Sequence, residues 1–214
     1  MNIVIACDKE SIKYLEPLLK SIYANCKDPV IYLITDKNPE SELIINYKIN
    51  IIEFEIDLTD PYSRITKHTY YRLFIDKLLP ETVKTCLYID FDTLVVGNID
   101  ELLIFNDNNI DVNVAIMPGD GDFFNAGVIG FNLTENCKNN LEKCRSLINK
   151  KSYVNDQVIL NEVFKDSKHN VGAKYNVMIG RLDAVYDDAR IIHYLGSGKP
   201  WKLHESYKYY FKYK

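Results

Sequence analysis

The sequence predicts an α/β fold in which helices flank a mixed, mostly parallel central sheet. Three short apolar runs, at residues 3–6, 30–35 and 50–54, have the length and composition of buried strands. The apolar residues of segment 11–22 recur at helical spacing, and a shorter helical segment precedes the third strand. This alternation is typical of parallel strands joined by helices that cover the sheet. A chain of 214 residues is long enough for one such domain.

The rest of the chain continues the alternation. Segment 60–67 is polar and predicts a loop, and Pro80 ends the helix that follows it. The other predicted elements are a helix at 69–79, strands at 85–89, 112–117, 127–133 and 191–193, and helices at 137–149 and 155–164. We therefore predict a single domain over residues 1–201.

Residues 202–214 form a basic and aromatic C-terminal tail. Lysines there are interleaved with tyrosines and one phenylalanine. One interpretation is a terminal helix whose aromatic face packs on the domain. The other is a segment that contacts a partner or an anionic membrane surface, which basic and aromatic residues suit.

Composition excludes several classes of protein. A formal net charge of −4 argues against a nucleic-acid binder, so an anionic substrate would have to be met locally, by a metal ion or a few cations. The five cysteines form no CxxC pair, which predicts reduced thiols. The N-terminal residues do not resemble a signal peptide, and no apolar run approaches the ~18 residues of a membrane span. These features predict a cytoplasmic protein.

The main chemical motif follows the strand predicted at residues 85–89. Asp90 and Asp92, separated by Phe91, come directly after this apolar run. Ligands of open α/β sheets bind at the carboxyl ends of the strands, where both carboxylates would converge. Carboxylate oxygens suit Mg²⁺ or Mn²⁺, particularly when a diphosphate completes the ligand shell. Such a metal would stabilise a leaving diphosphate as a Lewis acid.

Three further motifs follow in order. Residues 124–128 interrupt an apolar run with small and polar residues, where a backbone can approach a ligand. Asp156 and Gln157 open a predicted helix, where a carboxylate either complements the helix dipole or accepts a sugar hydroxyl. In segment 192–201, His193 could bind a metal while Lys199 and glycine amides meet a diphosphate.

Together the motifs LYIDFDTLVV, FNAGVIGFNL, NDQVILN and HYLGSGKPW resemble glycosyltransferase family 8, over residues 3–201. The resemblance implies a single GT-A domain with a Rossmann-like sheet, a UDP-sugar donor, Mn²⁺ or Mg²⁺, and retention of anomeric configuration. It also implies a glycan or other hydroxyl acceptor, with glucose or galactose as the transferred sugar.

The same resemblance implies roles for individual residues. Asp90, Asp92 and His193 match the metal ligands. The residues that match contacts to the UDP-sugar donor are Ala6 and Asp8 at uracil, Tyr14 stacked on the base, Gly196 and Lys199 at the diphosphate, Arg72 near the sugar, Asn125, Asp156 and Gln157 around it, and the adjoining Phe91 and Ala126. Between Asp120 and Asp122, we prefer Asp122 as a further sugar-binding carboxylate because it lies close before Asn125.

The predicted mechanism is departure of UDP with attack of the acceptor hydroxyl from the same face. Gln157 would stabilise oxocarbenium-like charge, and Asp156 is the candidate nucleophile if a covalent intermediate forms. One alternative is a haloacid-dehalogenase-type phosphatase, with Asp187 and Asp188 as a later acidic motif. Another is an inactive nucleotide-sugar-binding scaffold. An oxidoreductase is disfavoured, because no GxGxxG follows the first strand.

Overall fold

The computed structural model describes residues 1–58, 66–116, 118–150, 155–179, 187–196, 199, 201 and 208–213. Within these ranges the chain forms ten strands, namely β1 (Asn2–Ala6), β2 (Val30–Thr35), β3 (Asn50–Glu53), β4 (Thr85–Ile89), β5 (Thr93–Val95), β6 (Val112–Val114), β7 (Val128–Asn132), β8 (Lys168–Asn170), β9 (Val177–Ile179) and β10 (Ile191–Tyr194).

Helices in the same ranges are of two kinds. The α-helices are α1 (Glu16–Asn25), α2 (Glu42–Asn46), α3 (Ile75–Leu78), α4 (Glu135–Leu147), α5 (Asp156–Val163) and α6 (Lys208–Tyr213). The 3-10 helices are Lys9–Tyr14, Lys67–Phe74, Asp100–Leu103 and Ala173–Tyr175.

A seven-stranded sheet in the order β3-β2-β1-β4-β7-β6-β8 forms the centre of the described structure. The strands from β3 to β4 are parallel, as are β6 and β8, whereas β7 runs antiparallel to both of its neighbours. A second sheet has the order β5-β10-β9. The prediction of an α/β fold with a mixed, mostly parallel sheet is confirmed.

Both faces of the large sheet are covered, which explains why its central strands are apolar throughout. In β1, Ile3 and Ile5 pack on one face with α1, and Val4 and Ala6 pack on the other. The second face is covered by α4, α5 and the 3-10 helix Lys67–Phe74. Because β1 and β4 are parallel, their carboxyl ends lie at the same edge of this sheet, which is packed on both faces.

Several predicted boundaries were wrong. The helix predicted at 11–22 is a 3-10 helix followed by α1, which begins at Glu16 with Pro17 in its first turn, where a missing N–H costs nothing. The helix predicted at 69–79 is mostly the 3-10 helix Lys67–Phe74 and continues only briefly as α3. Most of the loop predicted at 60–67 lies outside the described residues, as does the end of the strand predicted at 112–117.

The C-terminal helix α6 packs on the domain. Tyr210 and Tyr213 are buried in a cluster with Leu94, Ile192 and Tyr194 of the small sheet, and the Tyr213 hydroxyl accepts a hydrogen bond from Asn25 Nδ2 at 3.1 Å. These contacts agree with the packing interpretation of the tail and lend no support to a membrane contact; residues 202–207 and 214 of the tail lie outside the described residues.

Two expectations about the whole chain can be compared with the structure. Each of the five cysteines lies in a described range and is a free thiol. Among the helices of the described ranges, none has the length and apolar character needed to cross a membrane. The cytoplasmic location stays a prediction.

Candidate metal and donor site

The acidic motif lies where β4 ends and β5 begins. Asp90 N–H donates to Gly127 O at 2.8 Å, and Asp90 O accepts from the Thr93 hydroxyl at 2.7 Å and from Thr93 N–H at 3.2 Å. This turn places both aspartates at the carboxyl edge of the sheet. Because β5 pairs with β10 with Thr93 opposite His193, the small sheet brings the imidazole to the same place.

Asp90, Asp92 and His193 form a cluster that could hold a metal ion. One ligand atom from each residue lies within 4.8 Å of the other two. His193 Nε2 is 3.3 Å from Asp92 Oδ1 and 3.6 Å from Asp90 Oδ2. Two carboxylates and an imidazole are a donor set that suits Mn²⁺, and Mg²⁺ in the presence of phosphate oxygens. The residues that the sequence assigns to the metal are therefore brought together.

Gly127 is required by the close packing of this cluster. A Cβ atom at this position would lie 2.2 Å from His193 Cε1 and 2.7 Å from Asp90 Oδ2. Both distances are far shorter than carbon atoms tolerate. The side chains of Asp90 and His193 can thus approach the main chain of the FNAG segment (Phe124 to Gly127) only because residue 127 lacks a side chain.

Two cations offset the charge of the aspartates. Lys199 Nζ contacts Asp92 Oδ2 directly and donates to Tyr194 O at 3.2 Å. Burial raises the pKa of Asp92, but the charges and hydrogen bonds of His193 and Lys199 outweigh burial and lower the pKa to about 2. Asp92 is therefore ionised at neutral pH, as a metal ligand must be.

Arg72 is the second cation and is buried between two carboxylates. Its guanidinium lies 3.3 Å from Asp90 Oδ1 and 3.0 Å from Asp156 Oδ2, and it stacks over the Tyr88 ring at 4.5 Å. It also donates a hydrogen bond to Ala126 O. Burial opposes the charge of Arg72, but the surrounding acids hold its pKa above the ordinary value. Burial raises the pKa of Asp156, whereas Arg72 opposes that rise.

The FNAG segment is docked on the first turns of α5. Gln157 Oε1 accepts hydrogen bonds from Ala126 N–H at 3.0 Å and from Asn125 Nδ2 at 3.1 Å. Asn161 pairs with both Phe124 N–H and Phe124 O at 2.8 Å. The sequence motifs FNAG and NDQ are therefore parts of one hydrogen-bonded unit beside the metal ligands.

The residues that the resemblance assigns to the base follow β1. Ala6 ends this strand, and Asp8 accepts a hydrogen bond from Ser11 N–H at 2.6 Å, which caps the next 3-10 helix. Tyr14 stacks on Trp201, with ring centroids 4.4 Å apart, and Trp201 also stacks on Phe91 at 5.5 Å. One face of Tyr14 is thus covered by an indole, while the predicted contact with a base stays a prediction.

Two further assignments concern Gly196, in the turn after β10, and Asp122, in the turn before Asn125. Gly196 follows β10 and has a φ of +56°, a left-handed conformation that favours glycine. Asp122 is exposed and lines an open pocket with Phe123, Val158 and Lys168. Its assignment to the sugar stays a prediction.

Sequence reasoning missed three residues of the site. Asn176 is fully buried and accepts a hydrogen bond from His193 Nδ1 at 3.0 Å. The Tyr88 hydroxyl donates to Asp90 Oδ1 at 2.7 Å, and Trp201 connects Tyr14 to Phe91. A polar residue directly before the apolar run 177–179 was a signal for Asn176, but a weak one.

Comparison with known proteins places this site in a family. The model of glycosyl transferase family 8 matches residues 2–205. Glycosyltransferase GlyE of Streptococcus pneumoniae is 27% identical over 93% of this chain, and general stress protein A of Bacillus subtilis is 25% identical over the whole chain. The chain spans 56% of the length of GlyE and 92% of the length of general stress protein A.

Solved structures show the same fold. The structure of GlyE without ligand superposes with a TM-score of 0.78 at 24% identity, covering 99% of this chain and 59% of GlyE. The galactosyltransferase LgtC, solved in complex with donor and acceptor sugar analogs, superposes with a TM-score of 0.72 at 20% identity, covering 96% of this chain and 90% of LgtC. The fold is therefore GT-A. The match to the glycosyl transferase family 8 model also excludes the alternative of a haloacid-dehalogenase-type phosphatase. The chain belongs to glycosyltransferase family 8.

Proposed function

We propose that this glycosyltransferase moves a hexose, glucose or galactose, from a UDP-sugar to a hydroxyl group of a glycan, with a divalent metal and with retention of configuration. The observation that carries the proposal is the convergence of Asp90, Asp92 and His193 beside Lys199 at the carboxyl edge of β4. Acids alone would repel a diphosphate, so this arrangement is suited to a donor that arrives with a cation.

Asp90, Asp92 and His193 would hold the ion, Mn²⁺ or Mg²⁺. When bound, such an ion supplies Lewis-acid stabilisation of the charge on a leaving diphosphate. The low pKa of Asp92 and the tight fit at Gly127 support this assignment, because the first keeps Asp92 ionised and the second fixes Asp90 and His193 in position. Lys199 would add a point charge within reach of the same diphosphate. Gly196, whose backbone has a left-handed φ, stands between His193 and Lys199 in the sequence.

On the sugar side, the pairing of Asp156 supports direct attack from the front face over a covalent route. Asp156 is buried against Arg72, so its carboxylate is already engaged and is a weak nucleophile. We assign to Asp156 and Arg72 the positioning of the sugar and of Asp90. Gln157, whose Oε1 atom holds Ala126 and Asn125, fixes the segment against which the sugar would lie. The acceptor oxygen would bond to the anomeric carbon as the bond from that carbon to the diphosphate breaks, and the proton of the acceptor hydroxyl would pass to the departing diphosphate oxygen.

Uracil would bind at the carboxyl end of β1, beside Ala6 and Asp8. Ala6 ends β1, the strand next to β4, and Asp8 follows two residues later, so a nucleotide bound there could place its diphosphate at the metal cluster. The row formed by Tyr14, Trp201 and Phe91 supplies aromatic surface between the two positions.

Calorimetric titration of UDP in the presence of Mn²⁺ tests the proposal. We expect binding that is abolished by EDTA, that is not reproduced by GDP and that is lost in Asp92→Asn. Asp111→Asn is the matched control, since Asp111 is also a buried carboxylate but binds Asn136 and Asn140 on α4. Binding of UDP that is indifferent to metal would refute the proposed site. Binding without transfer from any UDP-hexose would support the inactive-scaffold alternative.

A further inference from the structure

Asn176 occupies a buried position between the metal ligands and α5. It follows the 3-10 helix Ala173–Tyr175 and directly precedes β9, whose parallel pairing with β10 sets Met178 opposite His193. Its side chain is completely buried. A buried primary amide must satisfy both its oxygen and its NH₂ group, and here each of them meets a residue of the candidate site.

The direction of these hydrogen bonds follows from a backbone donor. Gly127 N–H donates to the side-chain oxygen Oδ1 of Asn125 at 2.9 Å, which fixes the orientation of the Asn125 amide. The Asn176 atom that lies 3.0 Å from that oxygen must therefore be Nδ2. This leaves Asn176 Oδ1 to accept from His193 Nδ1–H at 3.0 Å. The other ring nitrogen, Nε2, faces the two aspartates and is therefore the nitrogen available to a metal ion.

The chain of hydrogen bonds continues to α5. Asn125 Nδ2 donates to Gln157 Oε1 at 3.1 Å, and that oxygen also accepts from Ala126 N–H at 3.0 Å. The series His193, Asn176, Asn125 and Gln157 thus connects a metal ligand to a residue assigned to the sugar. All its hydrogen bonds run in one direction, so every amide in it is orientated by its neighbours.

We infer that Asn176 is a positioning residue, which holds His193 with Nε2 towards the metal and at the same time holds Asn125 towards Gln157. The inference rests on the proposed function and deepens it. A histidine that binds a metal is kept in one tautomer and one ring orientation by the group that its other nitrogen contacts. The same amide couples occupancy of the metal site to the geometry of the FNAG segment.

The variant Asn176→Ala tests this role. In the presence of saturating UDP, we expect the affinity for Mn²⁺ to fall by about 10–100-fold, as loss of outer-shell partners of metal ligands commonly causes. At saturating Mn²⁺, kcat should remain reduced, because Asn125 has lost its partner. A purely structural role would instead lower the folded fraction and leave the kcat of the folded protein unchanged. Asn176→Ser should behave alike, since one hydroxyl cannot span both contacts.

Asn113→Ala is the matched control. Asn113 is equally buried and donates to Leu102 O at 3.2 Å and to Ile104 O at 2.9 Å, so its loss removes two hydrogen bonds far from the metal ligands. We expect this variant to lose stability but to keep the affinity for Mn²⁺. Equal Mn²⁺ affinity and kcat in wild type and Asn176→Ala would overturn the inference.

A spectroscopic measurement on the wild type is independent of folding of the variants. In the complex with Mg²⁺ and UDP, the ¹⁵N spectrum of the four histidine rings should show His193 protonated at Nδ1, with slow exchange of that proton. Protonation at Nε2, or an Nδ1 proton that exchanges as fast as in free imidazole, would overturn the inference. A wild type that binds no metal with UDP would refute the proposed function and this inference with it.

Discussion

The substitution Gly127→Ala adds one methyl group at the closest point of the metal cluster. The new Cβ would lie 2.2 Å from His193 Cε1, 2.7 Å from Asp90 Oδ2 and 2.8 Å from His193 Nδ1. Ordinary carbon contacts require about 3.4 Å or more, so the imidazole must move by roughly 1 Å. A displacement of about 1 Å at a reacting centre can cost about 100-fold in rate, and overpacking adds about 1–3 kcal/mol of lost stability.

The assay for Gly127→Ala combines three readouts: Mn²⁺ affinity in the presence of UDP, sugar transfer and urea unfolding. We expect the first two to fall much more than stability does. Gly97→Ala serves as a control, because its Cβ would meet the flexible side chain of Arg190 at 2.7 Å, away from the aspartates. Wild-type metal affinity and transfer in Gly127→Ala would show that the cluster does not act as a metal site of fixed geometry.

Three further predictions concern other parts of the site and the core. Arg72→Met leaves two carboxylates without their buried partner, so the free energy of unfolding measured in urea should fall by about 3–5 kcal/mol; a loss below about 1 kcal/mol would contradict this. Burial raises the pKa of Cys26 from 9.0 to about 11, so at pH 8 the reactive thiolate should be about 100-fold scarcer than in the urea-unfolded chain. Alkylation of Cys26, followed by mass spectrometry, should be slower by the same factor, and equal rates in the two states would refute this effect of burial. Trp201 is the one tryptophan of the sequence, so tryptophan fluorescence reports on this residue alone and should change when UDP and Mn²⁺ bind. In Tyr14→Ala, one face of the indole becomes exposed and the emission should shift to the red, whereas an unchanged spectrum in both tests would show that Trp201 is not part of the site.

Residues buried on both faces of the sheet were the most predictable from sequence. Strand β4 has the predicted bounds, because a strand covered on two sides is an apolar run with clear ends. The candidate metal ligands could be identified for a related reason, since Asp90 and Asp92 follow such a run and His193 lies in another, β10. The convergence of these side chains depends on the fold, but their residue types and their order along the chain can be read from the sequence.

Short strands and partners that meet only in three dimensions were not predictable. Strands β5, β8 and β9 have three residues each and are defined by pairing with distant segments. The proposed role of Asn176 depends on the pairing of β9 with β10, which no local sequence pattern predicts. The choice of Asp122 over Asp120 depends on proximity along the chain to Asn125, and it stays a prediction.

We propose that Asp90, Asp92 and His193 bind a metal ion that in turn binds the diphosphate of the donor. The most direct measurement is a crystal structure with UDP and Mn²⁺, with data collected to reveal anomalous scattering from manganese. We expect a single strong peak at bonding distance from one oxygen of each aspartate and from His193 Nε2, with diphosphate oxygens completing the shell. Bound UDP with manganese at other residues, or with no manganese near His193, would show that these three residues do not form the metal site.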